Sequence, residues 1–442
     1  MPRRISETKI IKDRATFKKL LIRYVSLLNE LQGKYKITDG SFFTDLVNFK
    51  NNKKIPKHNW YEYKQGYAED LVKHIINAEK PNKKDYILDP FCGVGTTNVV
   101  AQSLGYKSIG FDINPVAILA SSVKTHFYSP EEIKKIKSCI KRFSPSKYFE
   151  LTETPDVIKS SFSKDALIKL FKIKYFWENI NNSMPVRSFF QLAFLSIIED
   201  CSIRTKDGNG IKLNLKKQPV KYIYEYYLKK CESMLLDIEI SNYSVSSQFI
   251  NGSMTLKNHF KEINNKKVGL CVFSPPYANC FDYCEVYKLE FWLGGFVKTY
   301  KDFAKYRSIA MRSHVNSQFD HHIKNYRNDV DLVAELISGF NIWNKNIPDM
   351  LRGYFDDIHE LLKNLKKVLV KDAKCFIVVA NSGYKGILVP TDLLIAEIAV
   401  DLGFKVNKIY YARKIRASSQ QMKDLHLEYE NLMRESILEI QN

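Results

Sequence analysis

Apolar residues Phe17, Leu20, Leu21, Tyr24, Leu27 and Leu28 recur at helical spacing, and the first fifty residues read as helical. A lysine-rich loop, NNKKIPKHN at 51–59, separates them from YAEDLVKHIINA at 67–78, which has the pattern of an amphipathic helix. The pattern then changes in KDYILDPFCGVGTTNVVAQSLGYKSIGFDINP, 84–115. YIL predicts a strand, the glycines a loop, TTNVVAQSLG a helix and SIGFD a second strand. Strand, helix and strand make an α/β unit with a parallel crossover.

At Ser129 the character shifts again. Ser129-Pro130-Glu131-Glu132 is a capping box with proline at the first helical position, and Ile133, Ile136, Ile140 and Phe143 continue the helix. Helical patterns follow at 164–180, 186–200 and 219–238; the last two are separated by a basic, glycine-punctuated loop, SIRTKDGNGIKLNLKKQP (202–219). The α/β alternation resumes with VSSQFI (245–250) and VGLCVF (268–273), then a helix with Phe355, Ile358, Leu361, Leu362, Leu365 and Val368 on one face. KCFIVVA (374–380), a helix from Thr391 to Leu402 and KVNKIYYA (405–412) complete it, and the polar stretch after Arg416 predicts a helix. The expected organisation is a helical segment at 1–50, one α/β half at 51–125, a mainly helical inserted region at 126–243, a second α/β half at 244–412 and a polar tail at 413–442.

With 442 residues and 45% hydrophobic content the chain can bury a full core. Its first residues are charged and unlike a signal peptide, and no apolar run approaches bilayer-spanning length, so a cytoplasmic protein without membrane contact is expected. The eight cysteines lie among apolar neighbours and read as reduced core thiols. Cys280 and Cys284 have no second pair or nearby histidines, and His314, His321 and His322, without acidic partners, read as surface residues; no metal is expected. The net charge of +20 has two readings. It suits a polyanionic partner, but a chain rich in Lys, Asn, Ile and Tyr also follows from an AT-rich genome. A site beside it must decide.

One candidate is Asp89-Pro90-Phe91-Cys92-Gly93-Val94-Gly95-Thr96-Thr97, between a strand and a helix, where backbone N–H groups face a ligand. Asp112, ending the next strand, is placed to accept from two ribose hydroxyls. A generic strand-to-helix turn is the bland alternative. Asn98 occupies the third position of a GxGxxG pattern, which removes support for a dinucleotide. A carboxylate before the glycines suits a ligand with a positive amino group. S-adenosylmethionine has that group, a ribose and no phosphate.

DPFCGVGTT followed by GFDINP resembles the S-adenosylmethionine-binding motifs of DNA amino-methyltransferases, and Ser274-Pro275-Pro276-Tyr277 resembles their catalytic tetrapeptide. YKQGYAEDLVKHI (63–75) resembles the helix that closes over the methionine end of the cofactor. The likeness covers roughly 55–125 and 245–412. It implies a Rossmann-like α/β sheet, mostly parallel with helices on both faces, carrying a mainly helical insertion. Asp89, Pro90, Phe91, Gly93, Gly95, Thr96, Thr97 and Asp112 are then the cofactor-binding residues. Asn251 falls where relatives often carry an acidic residue toward the cofactor's adenine, a departure from the pattern.

The tetrapeptide fits the chemistry this implies. An exocyclic base amine is a poor nucleophile because its lone pair is conjugated into the ring. Acceptors on its two N–H groups, the Ser274 side chain and the Pro275 carbonyl, favour pyramidal nitrogen. Pro276 stiffens the turn and Tyr277 offers a face for the base. A base in a duplex must be flipped to reach such a pocket. A proline-stiffened strand exit is the structural alternative. In the family, serine at the first position accompanies cytosine N4, and aspartate or asparagine adenine N6. Ser274 therefore points to cytosine N4 in duplex DNA, with adenine N6 the alternative and an RNA base amine a more distant one. Cytosine C5 chemistry needs a nucleophilic cysteine, and no Pro-Cys dipeptide occurs. A relic fold acting only as a DNA-binding subunit is opposed by the intact motifs.

Glycine motif, insertion and SPPY, in that order, put target recognition between the motifs. Arg204, Lys206 and Lys212 around Gly208 and Gly210 are candidates for a loop entering a groove. Asp282, with capping-box spacing to Glu285, and Tyr283 are candidates at the flipped nucleotide. Arg307 and Arg312 lie in a basic loop suited to phosphate or simply to solvent. A cognate restriction endonuclease is the expected partner in a host-protection system.

Overall fold

The structure, a computed structural model, describes residues 14–64, 66–145, 154–181, 183–207, 210–317, 327–415 and 432–442. Its strands in chain order are β1 (Ile37–Asp39), β2 (Tyr86–Asp89), β3 (Ser108–Asp112), β4 (Arg204–Asp207), β5 (Gly210–Leu213), β6 (Ser247–Asn251), β7 (Val268–Phe273), β8 (Leu369–Ala380), β9 (Ser382–Tyr384), β10 (Ile387–Val389), β11 (Lys405–Lys414) and β12 (Arg434–Gln441). The chain forms two compact units. One comprises Met1–Val47, Ser253–Phe281 and Arg307–Asn442, and the other Asn48–Gly252 and Asp282–Tyr306.

In the first unit the strand order is β1, β11, β12, β8, β7. β7 is parallel to β8 and β1 to β11, while β12 runs antiparallel to both its neighbours. VGLCVF becomes β7 with five of six residues buried, as a continuous apolar run in a parallel sheet should be. The helix Ile347–Val368 buries Phe355, Ile358, Leu361, Leu362, Leu365 and Val368, the face read from the sequence. Helix Arg14–Lys34 buries Phe17, Leu20, Tyr24, Leu28 and Leu31 at spacings of three and four.

In the second unit β2, β3 and β6 are all parallel, with Asp89 opposite Gly110 and Asp112 opposite Asn251. The crossover between β2 and β3 contains helix Thr96–Ser103. Asn114 caps the next helix, Pro115–Thr125, through the Val116 amide with proline at its start. The Ser129 capping box forms as expected, with Glu132 reaching back to the Ser129 amide. Four long helices, Pro130–Lys141, Lys164–Glu178, Met184–Cys201 and Ile223–Ile240, dominate the expected insertion. Parallel strands joined by a crossover helix make the sheet part of the second unit Rossmann-like, and its later part is mainly helical.

Several expectations are corrected. The first fifty residues are not all helical: Ile37–Asp39 pairs with β11. The basic loop 202–219 contains the antiparallel hairpin β4–β5. Arg307 lies on the helix Tyr300–Ile309 rather than in a loop. Of the polar stretch after Arg416, expected to be helical, residues 416–431 lie outside the described residues, and Arg434–Gln441 form β12 instead of a helix, hydrogen-bonded between β8 and β11 and buried from Arg434 to Ile440. Its charged residues are tolerated there because each meets a partner: Arg434 with Asp392, Glu435 with Arg413, Glu439 with Lys374. His314 is buried, not on the surface, whereas His321 and His322 lie outside the described residues, as does Gly208.

Candidate active site

β2 ends in Asp89, fully inside the protein, and the chain turns through two left-handed glycines, Gly93 (φ 49°) and Gly95 (φ 78°). A Cβ on Gly95 would stand 2.9 Å from Ser121 Oγ, and one on Gly93 3.1 Å from the Tyr63 ring. Only glycine permits both the turn and the close packing. Asp89 Oδ1 accepts from the Phe91 amide at 3.0 Å, and Oδ2 from the Tyr67 hydroxyl at 2.7 Å. Tyr67 Oη also lies 2.6 Å from Thr97 Oγ1. Thr96 and Pro90 are buried in the same turn.

Asp112 ends β3 and faces this turn. Its Oδ2 accepts from the Gly93 amide at 2.9 Å and its Oδ1 from the Asn114 amide at 2.8 Å. Burial pushes the Asp112 carboxyl up to about 7, with a further push from the charge of Asp89, against the pull of the Asn114 and Gly93 amides. Burial likewise raises Asp89 to about 6, opposed by its bonds from Tyr67, Thr97 and Phe91. Two carboxylates therefore stand at neighbouring strand ends with neutral hydrogen-bond donors around them, an environment that favours a cationic or hydroxyl-bearing ligand. Asn251 spends its side-chain amide on the carbonyls of Asp112 and Ile113, at 3.0 and 3.1 Å.

Tyr63 walls this turn. Its ring stacks on Tyr287 at 4.9 Å and on Tyr283 at 6.0 Å. Sequence reasoning did not single out Tyr63 or Tyr67, although both fall in the 63–75 stretch flagged by resemblance; their aromatic spacing before the helix Glu69–Glu79 was the available signal. Asp282 caps the short helix Tyr283–Val286 as expected, accepting from the Cys284 and Glu285 amides.

Lys206 was expected on a surface loop and is not there. It is buried on β4, ion-paired with Glu290 and, at 3.4 Å, with Glu199, and its ammonium lies 4.5 Å from the centre of the Tyr287 ring. Tyr61 Oη also donates to Glu290, at 3.1 Å. Lys206 is thus the buried tie between the hairpin and the tyrosine stack and has no free charge for phosphate. Arg204 bonds the hydroxyls of Ser161 and Ser160, at 2.7 and 3.1 Å, whereas Lys212 is exposed beside Asp207. Exposed Leu213 and Leu215 follow it.

In the first unit, the tetrapeptide follows directly on β7 and leads into a turn at 278–280. The Tyr384 hydroxyl donates to the Ala278 carbonyl at 2.7 Å, the Cys280 amide to Ser313 O at 3.1 Å, and Cys280 adopts φ 66°. Pro275 is buried; Ser274, Pro276 and Tyr277 are partly open. Ser274 Oγ lies 3.4 Å from Tyr277 Oη, which donates to Glu435 Oε1 at 2.5 Å. Arg312, a candidate phosphate contact, donates to Asp357 from its Nε, one terminal guanidinium nitrogen and its own amide, at 2.7 to 3.2 Å. It clamps the 311–313 segment.

Among the described residues no group of His, Cys, Asp or Glu could hold a metal ion, and no helix is long and apolar enough to cross a membrane. The N6/N4 methyltransferase family model, described as DNA methylase, matches residues 12–122. The chain is 27% identical to the type II methyltransferase M.BsoBI of Geobacillus stearothermophilus over 90% of this chain and 87% of that one. It is 24% identical to M.AvaI of Nostoc sp. over 86% of each. A shorter match, 35% identical over 24% of this chain and 42% of the relative, is to the DNA adenine methyltransferase YhdJ of Escherichia coli.

Proposed function

This chain is a DNA methyltransferase of the N6/N4 family, and from that premise we propose that it methylates the exocyclic N4 amine of a cytosine flipped out of duplex DNA. In this reading it is the cytoplasmic modification arm of a type II restriction-modification system with a cognate endonuclease. The observation that supports the base assignment is serine at 274, the first residue of SPPY, directly after β7.

The family implies S-adenosylmethionine, which supplies an electrophilic methyl group on sulfonium. The strand ends of the second unit fit it: Asp112 offers carboxylate oxygens to ribose hydroxyls, Asp89 offers negative charge toward an amino group, and Gly93 and Gly95 present backbone without side chains. Pro90, Phe91, Thr96 and Thr97 shape that turn, and Asn251 holds the end of β3. At the tetrapeptide, Ser274 and the Pro275 carbonyl would accept the amine N–H groups and favour a pyramidal nitrogen whose lone pair is no longer conjugated into the ring. Pro276 withholds a competing donor, and the Tyr277 ring stacks the base.

In this reading Arg204, Lys212 and the exposed leucines of the hairpin contact DNA, and Arg307, Asp282 and Tyr283 are further candidates for DNA contact. This reading leaves out Lys206, whose charge is buried against Glu290, and Arg312, which is paired with Asp357.

The adenine N6 reading is favoured by the YhdJ match. The deciding experiment incubates the enzyme with labelled cofactor and duplex DNA, or transfer RNA in parallel, and digests to nucleosides for mass spectrometry. N4-methylcytosine in DNA is expected. N6-methyladenine alone overturns the base assignment, and label in RNA alone overturns the substrate.

A further inference from the structure

Glu435 comes from β12, 158 positions after the tetrapeptide, and reaches Tyr277 Oη at 2.5 Å with Oε1 while Arg413 Nε donates to Oε2, also at 2.5 Å. It is buried, with 3% of its surface exposed. We propose that Glu435 is a positioning residue that fixes the direction of the Ser274 hydroxyl, so that this oxygen acts only as an acceptor and selects an amino base over a keto base. The inference rests on the methyltransferase reading of the same turn.

The argument is one of hydrogen-bond polarity. An ion-paired carboxylate has lone pairs and no hydrogen to give. Tyr277 has one hydroxyl hydrogen, and the short bond commits it to Glu435. Tyr277 Oη can then only accept, and the Ser274 hydroxyl donates to it across a long 3.4 Å. With its own hydrogen aimed at Tyr277, Ser274 presents lone pairs to whatever enters beside it. An amine N–H meets an acceptor. A ring carbonyl in the same place meets oxygen against oxygen and is rejected, because an unmatched polar pair in a desolvated site is costly. Arg413 closes the chain by holding the carboxylate from its other oxygen. Replacing Glu435 by glutamine keeps the shape but adds a donor, and the fixed direction of both hydroxyls is lost.

The test uses the full chain, S-adenosylmethionine and a duplex bearing the target site found by modified-base sequencing. Wild type, Glu435→Gln, Tyr277→Phe and the double variant are compared for kcat, KM for cofactor, and binding of a duplex with the keto analogue (uracil for cytosine, hypoxanthine for adenine). Each single variant is expected to lose about tenfold or more in kcat, the size of one directed charge-assisted bond, with cofactor KM unchanged. The preference for the amino over the keto base should narrow in both. In the double variant the Glu435 change should add no more than about twofold, because its effect runs through Tyr277. Glu435→Gln at wild-type kcat and discrimination overturns the inference, as does a loss that persists undiminished on Tyr277→Phe. Should Glu435→Gln fail to fold, Tyr277→Phe decides alone: it keeps the ring and the Glu435–Arg413 pair, and unchanged kcat and discrimination in it refute the idea. Wild type inactive on duplex DNA overturns the proposed function and this inference together, whereas active wild type with indifferent variants overturns the inference only.

Discussion

The Gly93 amide donates to Asp112 Oδ2 at 2.9 Å, which joins the glycine turn after β2 to the end of β3. The same carboxylate is pushed to about 7 and its neighbour Asp89 to about 6. The consequences for ligand binding and for folding have opposite sign.

Ribose hydroxyls and an amino group bind ionised carboxylates, so cofactor affinity should rise as pH climbs through 6 and 7. Stability of the ligand-free protein should move the other way. Both folded pKa values exceed the unfolded value of about 3.9, so the contribution is complete below that pH and is lost as pH rises through the folded values. Calorimetric titration with S-adenosylmethionine across this range measures the first effect, and thermal unfolding without ligand the second. Asp112→Asn should flatten both profiles and weaken binding. Affinity independent of pH in the wild type would remove these carboxylates from the cofactor site.

Gly95 and Gly105 have nearly the same left-handed φ, 78° and 77°, but different surroundings. A methyl at 95 meets Ser121 Oγ, Cβ and Cα at 2.9 to 3.1 Å, whereas one at 105 meets only the flexible end of Lys83 at 3.6 Å. Gly105→Ala should cost about 1 kcal/mol in backbone strain, and Gly95→Ala about 2–4 kcal/mol, adding the clash to the strain. Urea unfolding of the two variants compares them directly. Cofactor binding should fall in Gly95→Ala alone.

The parts legible in the sequence were those encoded locally. The glycine turn, the Ser129 cap, the β7 run and the amphipathic face of Ile347–Val368 all follow from neighbouring residues. What escaped depends on distant partners. Lys206 reads as one more basic residue in a basic loop, yet its burial is decided by Glu290, 84 positions away. RESILEIQ carries charged residues at positions that suit no simple two-sided strand. It becomes one because Asp392, Arg413 and Lys374, on other elements, neutralise Arg434, Glu435 and Glu439. No local spacing announces that Tyr277 will be met by Glu435.

The Arg434–Asp392 pair gives a direct test of how β12 is held. Arg434 Nε donates to Asp392 Oδ2 at 2.8 Å, and Ser436 Oγ shares that oxygen at 2.8 Å. Asp392 is completely buried. Arg434→Met leaves its carboxylate without a cation and should destabilise the protein by about 3–5 kcal/mol. The double variant Arg434→Met with Asp392→Leu should recover much of that loss. A negligible effect of the single change would mean that β12 is held by its backbone ladder alone.

Lys206 and Lys212 stand six positions apart on one hairpin, and the structure assigns them opposite work. Lys212 is exposed, its partner Asp207 equally so, and such a pair contributes little to stability. Lys206 is buried against Glu290, itself 1% exposed, and the negative charge of Glu290 and Glu199 raises its pKa against the opposing effect of burial. Lys206→Met should therefore lower stability by about 3–5 kcal/mol while leaving the salt dependence of DNA binding unchanged. Lys212→Met should leave the unfolding midpoint nearly unchanged. If it contacts phosphate, the slope of log affinity against log salt should fall by about 0.9. Denaturation curves and binding titrations at several salt concentrations separate the two. A reduced salt slope in Lys206→Met would return that residue to the DNA surface, and an unchanged slope in Lys212→Met would take the hairpin away from it.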